Sequence, residues 1–166
     1  MNIDVFSTPV GWAASVGSGT TLLQLSLGYK TRRDALQAVR PEYLEDASFE
    51  PWYPDLTESV LAYLEGDPID FRDVKIDLSH LTDFGRRVIK AARTIPYGKT
   101  CAYGELAEKA GSPAAARAVG SHMAANRTIL IVPCHRIIAA NNHLGGFSAP
   151  GGLSLKKKLL ALEQNR

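Results

Sequence analysis

Thr128-Ile129-Leu130-Ile131-Val132-Pro133-Cys134-His135-Arg136-Ile137-Ile138 is the stretch around which this chain organises itself. Its first five residues are a continuous, β-branched apolar run, which reads as a buried extended segment. Pro133 stops that run, so Cys134 and His135 are expected at the end of a rigid, buried element, where reactive groups are commonly held. A free cysteine is usually inert core packing. Here it follows a breaker, and His135 and Arg136 beside it can stabilise a thiolate, whose thiol form ordinarily has a pKa of about 8.5. Consecutive titratable residues are also costly to bury without a purpose. Neighbouring side chains on an extended segment point to opposite sides, so His135 is expected to reach the Cys134 proton through a water. A protease-like Cys–His pair needs the two side chains face to face, which disfavours hydrolase chemistry.

Downstream, the last helix runs from about Ser154 to Gln164 and presents Leu155, Leu159, Leu160 and Leu162 to a core. Glu163 then lies at the negative end of the helix dipole, where a carboxylate is disfavoured by up to ~1 kcal/mol unless it finds a positive or hydrogen-bonding partner. A solvated end residue is the plain alternative. As the outer member of a Glu–His–water–Cys relay, Glu163 would orient the imidazole and favour its charged form.

Upstream, a helix is expected from Thr82-Asp83 through Phe84, Val88, Ile89 and Ala92, ending before Pro96. Tyr103 to Ala110 carries Leu106, Ala107 and Ala110 at helical spacing and is closed by Gly111. Ser112 and Pro113 are expected to cap and open the next helix, the alanine-rich Ala114–Val119. Two short helices joined by a tight turn form a helix-turn-helix pattern. Charge supports a polyanionic partner. Residues 1–80 hold 6 Lys/Arg against 13 Asp/Glu, a net of −7, while residues 81–166 hold 13 against 4, a net of +9.

Residues 1–80 form the other half of an α/β (α+β) fold. They read as short antiparallel strands with glycine turns, a short helix with Leu36 and Val39, and a helix opening at Pro54-Asp55-Leu56 with Leu56, Val60, Leu61 and Leu64 on one face. Val74–Leu78 alternates as a strand. Nothing there combines nucleophile, base and ligand types, so residues 1–80 are expected to be a small α/β scaffold domain. Residues 81–166 are expected to be the mostly helical DNA-binding and active-site domain. Two cysteines are too few for a disulfide framework, no CxxC, HxxxH or HExxH spacing predicts zinc, and no apolar run approaches the ~20 residues of a membrane span. Met1-Asn2-Ile3-Asp4 lacks the layout of a secretory signal. A cytoplasmic monomer is expected, with no metal and no membrane contact.

The segment Ile131–Ile138 resembles the active-site segment of the O6-alkylguanine-DNA alkyltransferases (methylated-DNA–protein-cysteine methyltransferases). So do Ile95-Pro96-Tyr97-Gly98-Lys99-Thr100, Ala102–Ala107, Ala115–Gly120 and the tail from Gly151 to Glu163, all in order over residues 80–166. The resemblance implies single-turnover transfer of an alkyl group from guanine O6 in duplex DNA to Cys134, after base flipping and without a cofactor. Alkylthymine is left open as a second substrate. It further implies that His135 and Glu163 activate Cys134, that Tyr103 helps protonate the departing guanine, and that Asn126 braces the turn. Arg117, flanked by Ala116 and Ala118, is implied as the finger that fills the flipped nucleotide's place, with Tyr103 and Arg136 also at the DNA. Met123, Ile137, Phe147 and Ser148 are implied as pocket residues. The chain departs from many relatives at Gly85 and Ile89, and its Phe147–Gly152 segment is two residues longer than in some. A non-enzymatic relative that binds alkylated DNA carries tryptophan at the position of Cys134, and a helix-turn-helix regulator would show sequence preference and symmetric half-sites.

Overall fold

The computed structural model describes residues 1–165. Three strands follow one another as antiparallel neighbours: β1 (Asn2–Thr8), β2 (Gly11–Ser18) and β3 (Thr21–Tyr29). Two short edge strands, β4 (Ser48–Phe49) and β5 (Lys75–Ile76), join β1 and β3 in parallel, which gives the order β4-β1-β2-β3-β5. Alternation sorts side chains onto two faces. Ile3, Ala14 and Val16 pack with Ala35 of α1 (Arg32–Gln37) and with Val39 and Tyr43. Ala13, Leu25 and Leu27 face the other way, towards Leu56, Val60, Tyr63 and Leu64 of α2 (Pro54–Leu64). A bulge at Leu23, opposite the Val16–Gly17 step, returns Leu22 to the same face as Leu25. On α2 the buried stripe includes Tyr63 in place of the expected Leu61, which is only partly buried.

The second half opens with α3 (Asp83–Ala92), whose N-terminus is capped by Thr82 Oγ1 accepting from the Gly85 amide at 3.1 Å. Strand β6 (Cys101–Ala102) runs straight into α4 (Tyr103–Lys109), and Glu105 reaches back to the Ala102 amide at 2.8 Å. The next helix, α5 (Ala116–Ala124), starts later than Ser112 and Pro113 predict. The Ala115 amide bonds to the Ser112 carbonyl at 3.0 Å, which closes a separate turn, and Ala115 at φ −100°, ψ 28° is outside helical geometry. Gly85 lets α3 and α5 approach closely, because a Cβ there would meet the His122 ring at 2.7 Å.

Thr128–Val132 is buried as expected but is not a regular strand. The Leu25 amide donates to Arg127 O at 2.9 Å and the Ile129 amide to Leu25 O at 3.0 Å, so the run touches β3 briefly. Leu130 then adopts φ 72° and the Val132 amide returns to Thr128 O at 2.9 Å, making a buried hook. A left-handed leucine costs about 1–3 kcal/mol and persists only where its surroundings over-determine it. After Pro133, residues Cys134–Arg136 form a 3-10 turn rather than the end of a strand, and β7 (Ile137–Ile138) pairs in parallel with β6. The chain closes with α6 (Gly152–Gln164), whose Leu155 and Leu159 join the core under the sheet. No helix among the described residues is long and apolar enough to cross a membrane.

That core therefore draws on both halves of the chain. Leu159→Ala should cost about 2–5 kcal/mol in urea unfolding followed by tryptophan fluorescence, although both tryptophans, Trp12 and Trp52, lie in the first half. A fluorescence transition that does not move would show that the halves unfold separately.

Candidate active site

The pairing of β6 with β7, Cys101 to Ile137 and Ala102 to Ile138, decides where the chemistry sits. Tyr103 leaves the end of β6 and Cys134 precedes β7, so both reach one cavity of about 390 Å³, lined also by Met123, Ala124, Phe147 and Ser148. That volume lies within the range of small-ligand pockets. Gly145 crosses directly over Tyr103 at φ 70°, and a Cβ there would come within 2.9 Å of the phenol oxygen. Only glycine allows the loop to close over the tyrosine.

Cys134 is 4% exposed. Burial pushes its thiol up, while a hydrogen bond from Asn126 and the charge of Lys156 pull it down without reversing the rise. The resting group is a thiol that needs a base. Asn126 spends its whole amide on this corner: Nδ2 donates to Val132 O at 3.0 Å and to Cys134 Sγ at 3.2 Å, and Oδ1 accepts from the Thr128 amide at 3.0 Å. It therefore braces the hook and offers the sulfur a donor that favours the anion.

Behind Cys134, His135 is fully buried. Its Nε2 lies 2.8 Å from Glu163 Oε1 and 3.1 Å from the Tyr63 hydroxyl, while Nδ1 has no protein partner among the described residues. Glu163 also accepts from Arg136 Nη2 at 2.9 Å, Arg136 Nε at 3.1 Å, the Gly98 amide at 3.1 Å and Tyr63 Oη at 2.5 Å. Burial alone would raise this carboxyl, but the His135 and Arg136 hydrogen bonds outweigh it and hold the pKa at about 2. Burial lowers His135 below the ordinary histidine value, and the Glu163 hydrogen bond offsets only part of that. Glu163 thus pulls towards imidazolium as expected, but the resting imidazole is neutral.

Lys156 is a second group that the sequence hid among three consecutive lysines. Fully buried, its Nζ donates to the carbonyls of Ile137 at 2.6 Å, Leu144 at 2.5 Å and Gly146 at 3.1 Å. It pins the pocket loop and brings a positive charge towards Cys134.

Most of the expected residues converge. Cys134, Tyr103, Met123, Phe147 and Ser148 line the cavity, Asn126 touches the sulfur, and His135 and Glu163 pair behind it. Arg117 and Ala118 are exposed on the first turn of α5, beside the half-buried Ala116. Two expected residues lie elsewhere in the described structure. Arg136, expected at the DNA, is 7% exposed, and its guanidinium is committed to Glu163 and, at 2.8 Å, to Ile95 O, which makes it a buried counter-charge. Ile137 is fully buried in the α3–α5 core and is not among the residues that line the cavity. Tyr63, like Lys156, is a residue that sequence reasoning missed. Its position on the buried stripe of α2 was the available signal, but nothing local ties it to residues 72 and 100 positions away.

A family model described as 6-O-methylguanine DNA methyltransferase, DNA binding domain, matches residues 83–165. A methylated-DNA--protein-cysteine methyltransferase of Mycobacterium tuberculosis is 38% identical over 165 residues, covering 96% of this chain and 90% of the relative. The chain belongs to that methyltransferase family. A second member, from Methanosarcina barkeri, is 33% identical and covers 99% of this chain and 98% of its own. Among solved structures, Mycobacterium tuberculosis OGT in complex with DNA matches with a TM-score of 0.84 at 36% identity, covering 99% of this chain and 93% of that one. The likeness includes the sheet-bearing first half, which the family model does not reach.

Removing the charge of Glu163 should expose this arrangement. Glu163→Gln leaves the Arg136 guanidinium buried without its counter-charge and should cost about 3–5 kcal/mol at neutral pH. A depressed carboxyl stabilises the fold above its unfolded pKa, and that stability disappears as pH falls from about 4.5 towards 2. The gap between variant and wild type in chemical denaturation should therefore narrow over that window. A pH-independent gap would count against an ionised Glu163.

Proposed function

We propose that this chain repairs DNA by direct reversal, moving a methyl or other alkyl group from O6 of a guanine in duplex DNA onto Cys134. The observation that carries this reading is the buried Cys134 thiol opening on a cavity of about 390 Å³, backed by a neutral imidazole and faced by a phenol. The target base is hidden in the stack, so it must be flipped out at a cost of a few kcal/mol. Arg117 then enters the space left behind, a role supported by its exposure on α5 beside Ala116 and Ala118. The small alanines allow the helix to approach the duplex, and the +9 half supplies the favourable field.

In the cavity, the Cys134 proton passes through a water to His135 Nδ1, and Glu163 stabilises the resulting imidazolium. The thiolate attacks the alkyl carbon in line, so the S–C bond forms as the C–O6 bond breaks. The electron pair stays with the guanine, which takes a proton from the Tyr103 hydroxyl. Burial, then the Cys134 charge, keep that phenol protonated against a hydrogen bond from the Gly146 backbone. Asn126 and Lys156 hold the sulfur and the loop in place. The thioether has no route back, so each molecule turns over once, as a monomer, without a cofactor and in the cytoplasm. The family name carried by the relatives supports this chemistry.

Intact mass spectrometry tests it. After incubation with a duplex bearing one O6-methylguanine, the protein should be heavier by one methylene, located on the Cys134 peptide, and an unmodified mass would sink the reading. Cys134→Ala should bind the same duplex and transfer nothing. Arg117→Ala should slow transfer from duplex by about tenfold, since ~1.4 kcal/mol of lost flipping support is one decade in rate. Its transfer from the free alkylated base should be unchanged, and equal losses on both substrates would reject the finger role.

A further inference from the structure

The relay is not confined to the second half of the chain. Tyr63 is fully buried on α2, and its hydroxyl sits between Glu163 Oε1 at 2.5 Å and His135 Nε2 at 3.1 Å. We infer that Tyr63 is a positioning residue for alkyl transfer, whose hydroxyl caps Glu163 and so keeps His135 neutral, protonated on Nε2 and bare on Nδ1 until Cys134 gives up its proton. The inference rests on the relay reading above.

The argument is one of hydrogen-bond roles. Glu163 is ionised and can only accept. Burial, reinforced by the Glu163 charge, holds the Tyr63 phenol protonated, so its single proton points at Oε1 and its oxygen can only accept from the imidazole. Nε2 therefore faces two acceptors, Glu163 Oε1 and Tyr63 Oη, and must carry the hydrogen. The lone pair is left on Nδ1. The phenol also takes part of the charge of Oε1, the same oxygen that pulls on His135, and charge-assisted bonds of this kind are roughly twice as strong as neutral ones. An uncapped Oε1 would hold a second proton on the imidazole more tightly.

The other groups around His135 are accounted for. Arg136, on the same turn, and Lys156 on α6 both oppose a charged imidazole, and Cys134 precedes it in the chain. Tyr97 stacks edge-on against Tyr63 at 5.9 Å and lies under Arg136 at 5.8 Å. The Tyr97 hydroxyl donates to the carbonyls of Gly66 and Leu162, each at 3.4 Å. Tyr63, donating to Oε1 at 2.5 Å, is a neutral group that can tune the pair without adding charge.

The test is Tyr63→Phe in the full chain, which keeps the ring and removes one oxygen. Nitrogen-15 NMR of labelled histidine should show wild-type His135 neutral and protonated on Nε2. In the variant it should titrate about one pH unit higher, the size expected from losing part of one charge-assisted bond. The pH profile of methyl transfer should shift with it. An unchanged His135 titration overturns the proposal, as does a rate loss equal at every pH, since a purely structural role predicts that. If Tyr63→Phe does not fold, 3-fluorotyrosine at position 63 keeps the shape and donates more strongly, so His135 must titrate lower than in wild type, and no shift again overturns it. The NMR readout needs no alkylated DNA. A wild type that never transfers methyl would therefore sink the function alone, while the titration still judges Tyr63.

Discussion

One buried carboxylate holds this site together. Glu163 is removed from water at the end of α6, where the helix dipole disfavours it. It is tolerated only because His135, Arg136, Tyr63 and the Gly98 amide all donate to it. Those donors come from the active-site turn, from α2 and from the loop after Pro96. An isolated buried charge would cost far more than the stability of a small domain, so these elements cannot separate without exposing or orphaning it. The same demand fixes the direction of the imidazole, and so the direction in which a proton can leave Cys134.

The nucleophile is built on opposing demands as well. Burial makes the sulfur a thiol, while Asn126 and Lys156 favour the anion without reversing that, so the group rests protonated and depends on a base. Lys156 couples that chemistry to the pocket, since the ammonium whose charge favours the thiolate also pins the carbonyls of Ile137, Leu144 and Gly146. The strained Leu130 and the close passage of Gly145 over Tyr103 serve the same end. Leu130 holds the hook that ends at Cys134 in a backbone conformation a leucine rarely adopts, and Gly145 supplies a close approach that a side chain would block.

The first half is more than a platform. Its sheet shares a core with α6, its β3 bonds to the hook at Arg127 and Ile129, and its α2 places a hydroxyl on the relay. The acidic half and the basic half are thus joined at the point where the chemistry is arranged, while Arg117 and Ala118 at the start of α5 stay exposed.

Much of this was legible in the sequence. The 3.6-residue periodicity gave α2, α3, α4 and α6, because each buries one face, and the alternating N-terminal residues gave the antiparallel strands. Pro133 before Cys134-His135 marked the nucleophile, and Glu163 stood out as a carboxylate at the wrong end of a helix. What the sequence could not carry was partner choice across distance. Arg136 reads as one more cation of a basic half, but tertiary packing turns it inward to a carboxylate 27 residues away. Lys156 looks the same as Lys157 and Lys158, yet helix phase buries only the first. Tyr63 is an unremarkable core aromatic until the fold brings α2 against α6. Local pattern fixes which face of an element is buried, whereas only the closed tertiary structure decides which polar atoms must satisfy one another there.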